Sequence, residues 1–151
     1  MGTRFAPLAL ALALAASPAA CSGPAPVADL LLGDERLRLD ADALAARVPL
    51  APDEEFRVAE LGRDAHSSHH AVAIRSAETP HRHDRHDLQV VMLRGHGTWR
   101  VGERVEAVGE GSILYVPRGS VHAFANQSGE TALAYAVYTP PFDGSDRVEV
   151  D

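Results

Sequence analysis

From Asp87 to Tyr138 the chain never runs more than nine residues without meeting a glycine or a proline. That spacing leaves no room for an average helix of about 11–12 residues. Between Gly95, Gly97, Gly102, Gly109, Gly111, Pro117, Gly119 and Gly129 lie short runs of strand-forming residues. They are Asp87–Leu93, Thr98–Val101, Val105–Val108, Ser112–Val116, Val121–Asn126 and Thr131–Tyr138. Two earlier runs, the alternating Phe56–Leu61 and His70–Arg75, have the same character. Short strands separated by regular turn signals predict an all-β sandwich or barrel.

Upstream of Pro52 the pattern changes. Asp40 is placed to N-cap a short helix over Ala41–Val48, ended by Pro49, with Leu44 and Val48 on one face. Asp29–Leu39 reads as either a helix or an extended arm. Met1–Ala20 has an early Arg4, an apolar run from Phe5 to Ala16 and small residues at its end, the pattern of a secretory signal. The run is too short to span a bilayer comfortably. Cys21 follows directly, so the segment resembles a bacterial lipoprotein signal, with Pro18 where such signals usually carry leucine. The alternative is an ordinary cleaved signal. Both predict an extracytoplasmic protein, and the first adds membrane anchoring through a lipidated Cys21. The expected organisation is a signal over 1–20, a tether over 21–28, a helical or extended lead-in over 29–52, a barrel over 53–141 and a tail over 142–151. Phe142 is expected to pack back on the outside of the barrel, and the acidic end to be frayed.

Composition narrows the chemistry. The net charge is −7, which argues against nucleic acid as a partner. All 14 basic residues are Arg; without Lys there is no Schiff-base lysine and no P-loop. The single Cys permits neither an internal disulfide nor a cysteine-rich zinc site. No GxSxG elbow or HExxH helix occurs, and Gly95-His-Gly97 meets Arg100 where a dinucleotide loop needs its third glycine.

Histidine is the unusual component: there are eight, six of them between His66 and His86. His81 and His83 are two apart, so an extended backbone turns both imidazoles to one face. His122 lies in a second predicted strand and can bring a third imidazole to the same ion. Three neutral imidazoles with open positions suit one divalent transition metal: Fe(II), Mn, Zn, Ni or Cu. Such a site loses affinity as pH falls through about 6.5, where free imidazole protonates. A solvated polar strand is the alternative for the His81/His83 pair alone. His86 is a candidate supporting group or alternative ligand. His66, His69 and His70 read as a solvated loop, with the barrel mouth as the alternative. His96 reads as exposed in a turn, and Met92, Phe124, Tyr135 and Tyr138 as core.

The stretch from Gly111 to Asn126, with Pro117, Gly119 and His122, matches every fixed position of the second cupin motif, G(x)5PxG(x)2H(x)3N. His81-Arg82-His83 through Gly95 resembles the first motif, and residues 96–110 between them suit the compact spacing of microbial members. The resemblance to the cupin superfamily covers about residues 56–140. It implies a single jelly-roll β-barrel holding a metal on His81, His83 and His122, with copies paired through edge strands as a homodimer. Two positions depart from the pattern. Arg75 stands where the first motif begins with glycine. Counted back from Gly95, the expected metal-binding acid falls on Leu88. Asp87 can serve as a fourth ligand only if the strand slips or bulges by one residue, so three histidines alone are favoured over three plus Asp87.

The resemblance implies either a small-molecule metalloenzyme of dioxygenase, isomerase or lyase type, or a non-catalytic lipoprotein that binds or senses a small ligand or the metal. A degenerate, metal-free cupin is the third reading, disfavoured by the intact histidines. Asp87 and His86 are the candidate acid/base groups for an enzyme. No residue stands out as a dedicated base.

Overall fold

The computed structural model describes residues 27–32 and 34–150; the predicted signal and Cys21 lie outside them. The described residues begin with a hairpin of β1 (Val27–Leu32) and β2 (Glu35–Asp40). Arg36 clasps Asp29 across it through two hydrogen bonds, of 2.8 and 2.6 Å. Of the two readings of Asp29–Leu39, the extended one holds. Helix α1 (Ala41–Ala45) follows, with Asp40 accepting the Ala43 amide at 2.8 Å as N-cap. It ends three residues earlier than predicted, yet Leu44 and Val48 are both buried. Among the described residues no helix is long and apolar enough to cross a membrane.

The remaining strands form the predicted jelly-roll type barrel from two antiparallel five-stranded sheets. One sheet carries β3 (Phe56–Arg63), β4 (Ser68–Ile74), β11 (Ala132–Thr139), β6 (Asp87–Arg94) and β9 (Ile113–Val116), in that order. The other runs β12 (Val148–Glu149), β5 (His81–Arg82), β10 (His122–Asn126), β7 (Gly97–Val101) and β8 (Arg104–Val108). Alternation sorts the side chains. Leu88, Val90 and Met92 of β6, Trp99 of β7, Phe124 of β10 and Tyr138 of β11 point inward and form the core. Strand β4 is buried on both faces. Val72 and Ile74 join that core, while Ala71 and Ala73 lie under Leu44, Val48 and Leu133 outside the barrel. Strand β11 presents Ala132, Ala134 and Ala136 to the interior, and these short side chains leave open space that larger ones would fill.

The second motif is structural as well as chemical. Gly111 and Gly119 adopt φ of +83° and +79°, a region costly for any residue with a Cβ. The Gly119 amide then donates to the His83 carbonyl at 2.7 Å, tying the loop before β10 to the first motif. Asn126 donates to the carbonyls of Ile74 and Arg75 at 3.2 and 3.0 Å and accepts from the Ser128 amide at 3.0 Å. Its place in the motif is thus explained by backbone it holds together.

Candidate metal centre

Strand pairing assembles the three histidines. His81 on β5 is the cross-strand partner of His122 on β10, which brings the two rings to 4.3 Å between centroids. His83 lies just beyond β5, with its ring 5.2 Å from His81 and 5.5 Å from His122. All three are buried, and one nitrogen from each lies within 4.8 Å of the others.

Their backbone partners fix which nitrogen is free. The Nδ1–H of His81 donates to the Thr79 carbonyl at 2.9 Å and that of His122 to the Ser120 carbonyl at 3.0 Å. His83 donates in the same way to the Asp146 carbonyl. With Nδ1 carrying the proton, each Nε2 keeps its lone pair, as a metal-ligating imidazole requires. The Nε2 atoms of His83 and His122 are buried with no hydrogen-bond partner. Burial first, then neighbouring positive charge, pushes His81 down to about 3. Burial likewise takes His122 to about 4 and lowers His83. The rings are therefore neutral at physiological pH without needing a metal to deprotonate them. Converging lone pairs, buried and unsatisfied, fit a divalent transition metal.

Asp87 does not join them. It sits on β6 one residue before the inward-facing Leu88, so alternation turns it outward. There it accepts the Arg118 amide at 2.9 Å and pairs with the Arg118 guanidinium at 2.8 Å. These hydrogen bonds hold its carboxyl at about 2. β6 shows no slip there, and Leu88 occupies the inward position where an acid was expected. His86 is buried but also turned away, its Nδ1 bonded to Asp146 at 2.5 Å. Burial opposes ionisation of Asp146, but the His86 bond and the Arg85 and Asp84 amides outweigh it and hold the carboxyl below its ordinary value. Of the earlier histidines only His66 is fully exposed; His69 is half-buried against Tyr135. His70 is buried beside Tyr138 and bonded to Ser68 at 2.8 Å, so burial lowers it to about 4. His96 is exposed, as predicted.

The largest departure from the sequence reading is the segment after β11. Rather than fraying, it closes over the site. Phe142 packs against the core, stacked on Tyr138 at 4.6 Å and edge-on to His83 at 5.4 Å. Asp146 is buried between His83 and His86, and β12 pairs with β5 beside His81. Arg147 brings Nη1 to 2.7 Å from His81 Nε2. Two groups that sequence reasoning missed therefore belong here: Arg147, and Glu78 just before β5. The Glu78 side chain is one-tenth exposed and its carboxylate lies 3.8 Å from the Arg147 guanidinium. Burial pushes its carboxyl up to about 6, against the opposing pull of Arg147. His81, His122, Glu78 and Arg147 share a cavity of about 40 Å³ with Trp99 and Tyr138, floored by aliphatic side chains. At roughly 10–15 Å³ per water, that is space for a few waters or a small organic molecule.

A protein-family model for the cupin domain matches residues 68–138. An uncharacterized protein of Aquifex aeolicus (strain VF5) is 34% identical over 98 residues, covering 65% of this chain and 80% of the relative. This chain carries a cupin domain. Solved structures agree on the fold. An uncharacterized conserved protein with a double-stranded β-helix domain from Klebsiella pneumoniae superposes with a TM-score of 0.62 at 14% identity, covering 72% of this cupin and 94% of that chain. A variant of the Streptomyces nucleoside dehydratase PAC13, solved with uridine, gives 0.57 at 14% identity, covering 71% and 88%. At these identities the likeness carries the fold alone.

Proposed function

We propose that this cupin is an extracytoplasmic metalloenzyme that binds one divalent metal on His81, His83 and His122 and acts on a small organic molecule in the adjoining cavity. The observation that carries the reading is the committed tautomer of all three imidazoles, each donating from Nδ1 to a backbone carbonyl. Such an arrangement has a cost in polar burial that a metal offsets. The metal, when bound, supplies Lewis-acid polarisation of a ligand oxygen. The chain's own contribution is a shaped, largely apolar cavity and Glu78, whose carboxyl at about 6 suits proton transfer at neutral pH. Glu78 fills the role of acid/base group in place of Asp87 and His86. PAC13, a fold neighbour described as a nucleoside dehydratase, is an enzyme working on a small molecule within this architecture, which favours catalysis over a purely binding role. The features of Met1–Cys21 support export, with lipidation of Cys21 as the anchor. Exposed Ile113 and Tyr115 on β9 and Val105 on β8, both edge strands, support pairing of two copies.

The test is metal content by inductively coupled plasma mass spectrometry on untagged, chelator-free protein beside a His81/His83/His122→Ala variant. Near-stoichiometric metal in the wild type alone is expected, and its identity selects the assay, with iron pointing to O2 consumption and zinc or manganese to isomerisation or elimination. No metal in either protein after reconstitution would sink the proposal.

A further inference from the structure

Tyr138 packs as core, and a phenylalanine would fill the same space. Phe142 stacks on its ring at 4.6 Å, and His70 and His83 meet it edge to face, each at 5.1 Å. Only 5% of the residue is exposed. A buried tyrosine hydroxyl ordinarily finds a hydrogen-bond partner. That of Tyr135, on the outer face of the same strand, has one in His69 Nδ1 at 2.5 Å. Among the described residues the Tyr138 hydroxyl has none, yet it is not sealed in like the unpaired nitrogens of His83, His122 and Arg147. The open surface it keeps faces the cavity it shares with His81, His122, Glu78 and Trp99. Burial first, then the negative charge of Glu78, holds its proton on beyond the ordinary range. The hydroxyl is thus a donor offered to whatever enters.

Glu78 supplies the complement. Its side chain is nine-tenths buried in the same wall. A carboxylate has about four lone-pair sites. Arg147 approaches only to 3.8 Å, outside hydrogen-bond range, so acceptor capacity is left for a ligand hydroxyl. For Tyr138 the matching group is a carbonyl oxygen, which accepts without adding a further donor that the apolar walls would leave unsatisfied. The floor of Leu88, Val90 and Met92 calls for carbon, and a volume of about 40 Å³ limits the ligand to a few heavy atoms. We propose that Tyr138 and Glu78 hold two oxygens of one ligand, Tyr138 donating to a carbonyl and Glu78 accepting from a neighbouring hydroxyl, and that the site takes short hydroxyketones or hydroxyaldehydes. The inference deepens, and rests on, the reading of this cavity as the ligand site of a metal-dependent enzyme.

Hydroxyacetone is the probe, with acetone and propan-1-ol as counterparts that each lack one of its oxygens. The untagged full-length protein, loaded with Zn(II), is titrated with each. The signal is the fluorescence of Trp99, the only tryptophan in the chain and part of the cavity wall. Tyr138→Phe and Glu78→Gln are treated alike, with zinc content and urea unfolding recorded for both. Wild type is expected to bind hydroxyacetone saturably and at least about fivefold more tightly than either counterpart. Tyr138→Phe weakens hydroxyacetone and acetone by at least about fivefold and leaves propan-1-ol unchanged. Glu78→Gln weakens hydroxyacetone and propan-1-ol and leaves acetone unchanged. Removing an unpartnered hydroxyl keeps the urea midpoint of Tyr138→Phe at or above that of wild type, with zinc content unchanged; a hydroxyl serving the fold would lower it. Four results overturn this inference and leave the metal reading standing: no saturable binding of hydroxyacetone, no discrimination among the three ligands, Tyr138→Phe weakening all three alike or none, or a lowered urea midpoint in that variant. A wild type that takes up no Zn(II) overturns the metal reading and this inference with it.

Discussion

Acid should unfold the metal-free protein well before it protonates the buried histidines. His70, His81 and His122 start from an ordinary value of 6.5 and are pushed by burial to about 4, 3 and 4. Their folded values are depressed, so between those values and 6.5 the unfolded chain binds protons that the folded chain refuses. Stability is then present above 6.5 and is lost as pH falls. At pH 5 each buried histidine costs about 2 kcal/mol relative to pH 7, at about 1.4 kcal/mol per pH unit. Glu78 acts in the opposite sense. Its folded value is raised from 4.5 to about 6, so it returns about 1 kcal/mol over the same interval. The net loss of about 5 kcal/mol is comparable with the whole stability of many domains, about 5–15 kcal/mol. The assay is urea unfolding of chelator-treated protein at half-unit pH steps from 7.5 to 4.5, followed by Trp99 fluorescence and far-ultraviolet circular dichroism. His70→Gln separates the contribution of a histidine outside the metal cluster and should reduce the pH-dependent loss by about two-fifths, about 2 of the net 5 kcal/mol. An unfolding midpoint that stays flat between pH 7 and 5 would refute the reasoning, because it would mean the rings are already charged or already solvated in the folded state.

Three further outcomes are expected. Asp87→Ala removes a solvent-exposed pair with Arg118 and should leave the urea midpoint close to that of wild type, with metal content unchanged; loss of metal would restore Asp87 as a ligand. Leu88→Glu places a carboxylate at the inward position next to the cluster, so it should destabilise the metal-free protein yet raise metal affinity by tenfold or more, read by competition with a chromogenic chelator. Asp146→Ala strips buried His86 and two backbone amides of their acceptor and should lower stability by about 2–4 kcal/mol, with the tail amides losing hydrogen-exchange protection ahead of the barrel.

The barrel was legible because its information is local. Alternation and glycine-marked turns located eight of the strands; period-two reasoning put His81 and His83 on one face, and the resemblance to the two cupin motifs put His122 with them. Counting from Gly95 even found the inward position on β6, at Leu88. What escaped the sequence depends on contacts across long separations. Asp146 is an ordinary exposed-looking acid until His86, 60 residues earlier, meets it. Glu78 and Arg147 lie in stretches without periodicity, and only the pairing of β12 with β5 brings them together. His70 looked like a loop residue because three histidines cluster with Ser67 and Ser68, whereas β4 begins at Ser68 and carries His70 inside. The helix was overextended because Leu44 and Val48 both reach the same apolar patch, the second from a turn rather than from the helix.

The tail that follows β11 is attached by a handful of bonds, among them the Asp84 and Arg85 amides to Asp146 at 3.1 and 2.8 Å and the Val150 amide to Pro80 at 2.9 Å. None of these belongs to the pairing that closes the barrel. The segment can therefore detach, taking the edge strand β12 with it while the other strands stay paired, as a cooperative unit with a free energy of its own. Because Arg147 and the carbonyl that orients His83 ride on it, each detachment dismantles one wall of the cavity and frees one imidazole at the same moment. The residence time of whatever sits inside is then set by how often the segment Phe142–Val150 lets go, a clock separate from the lifetime of the fold.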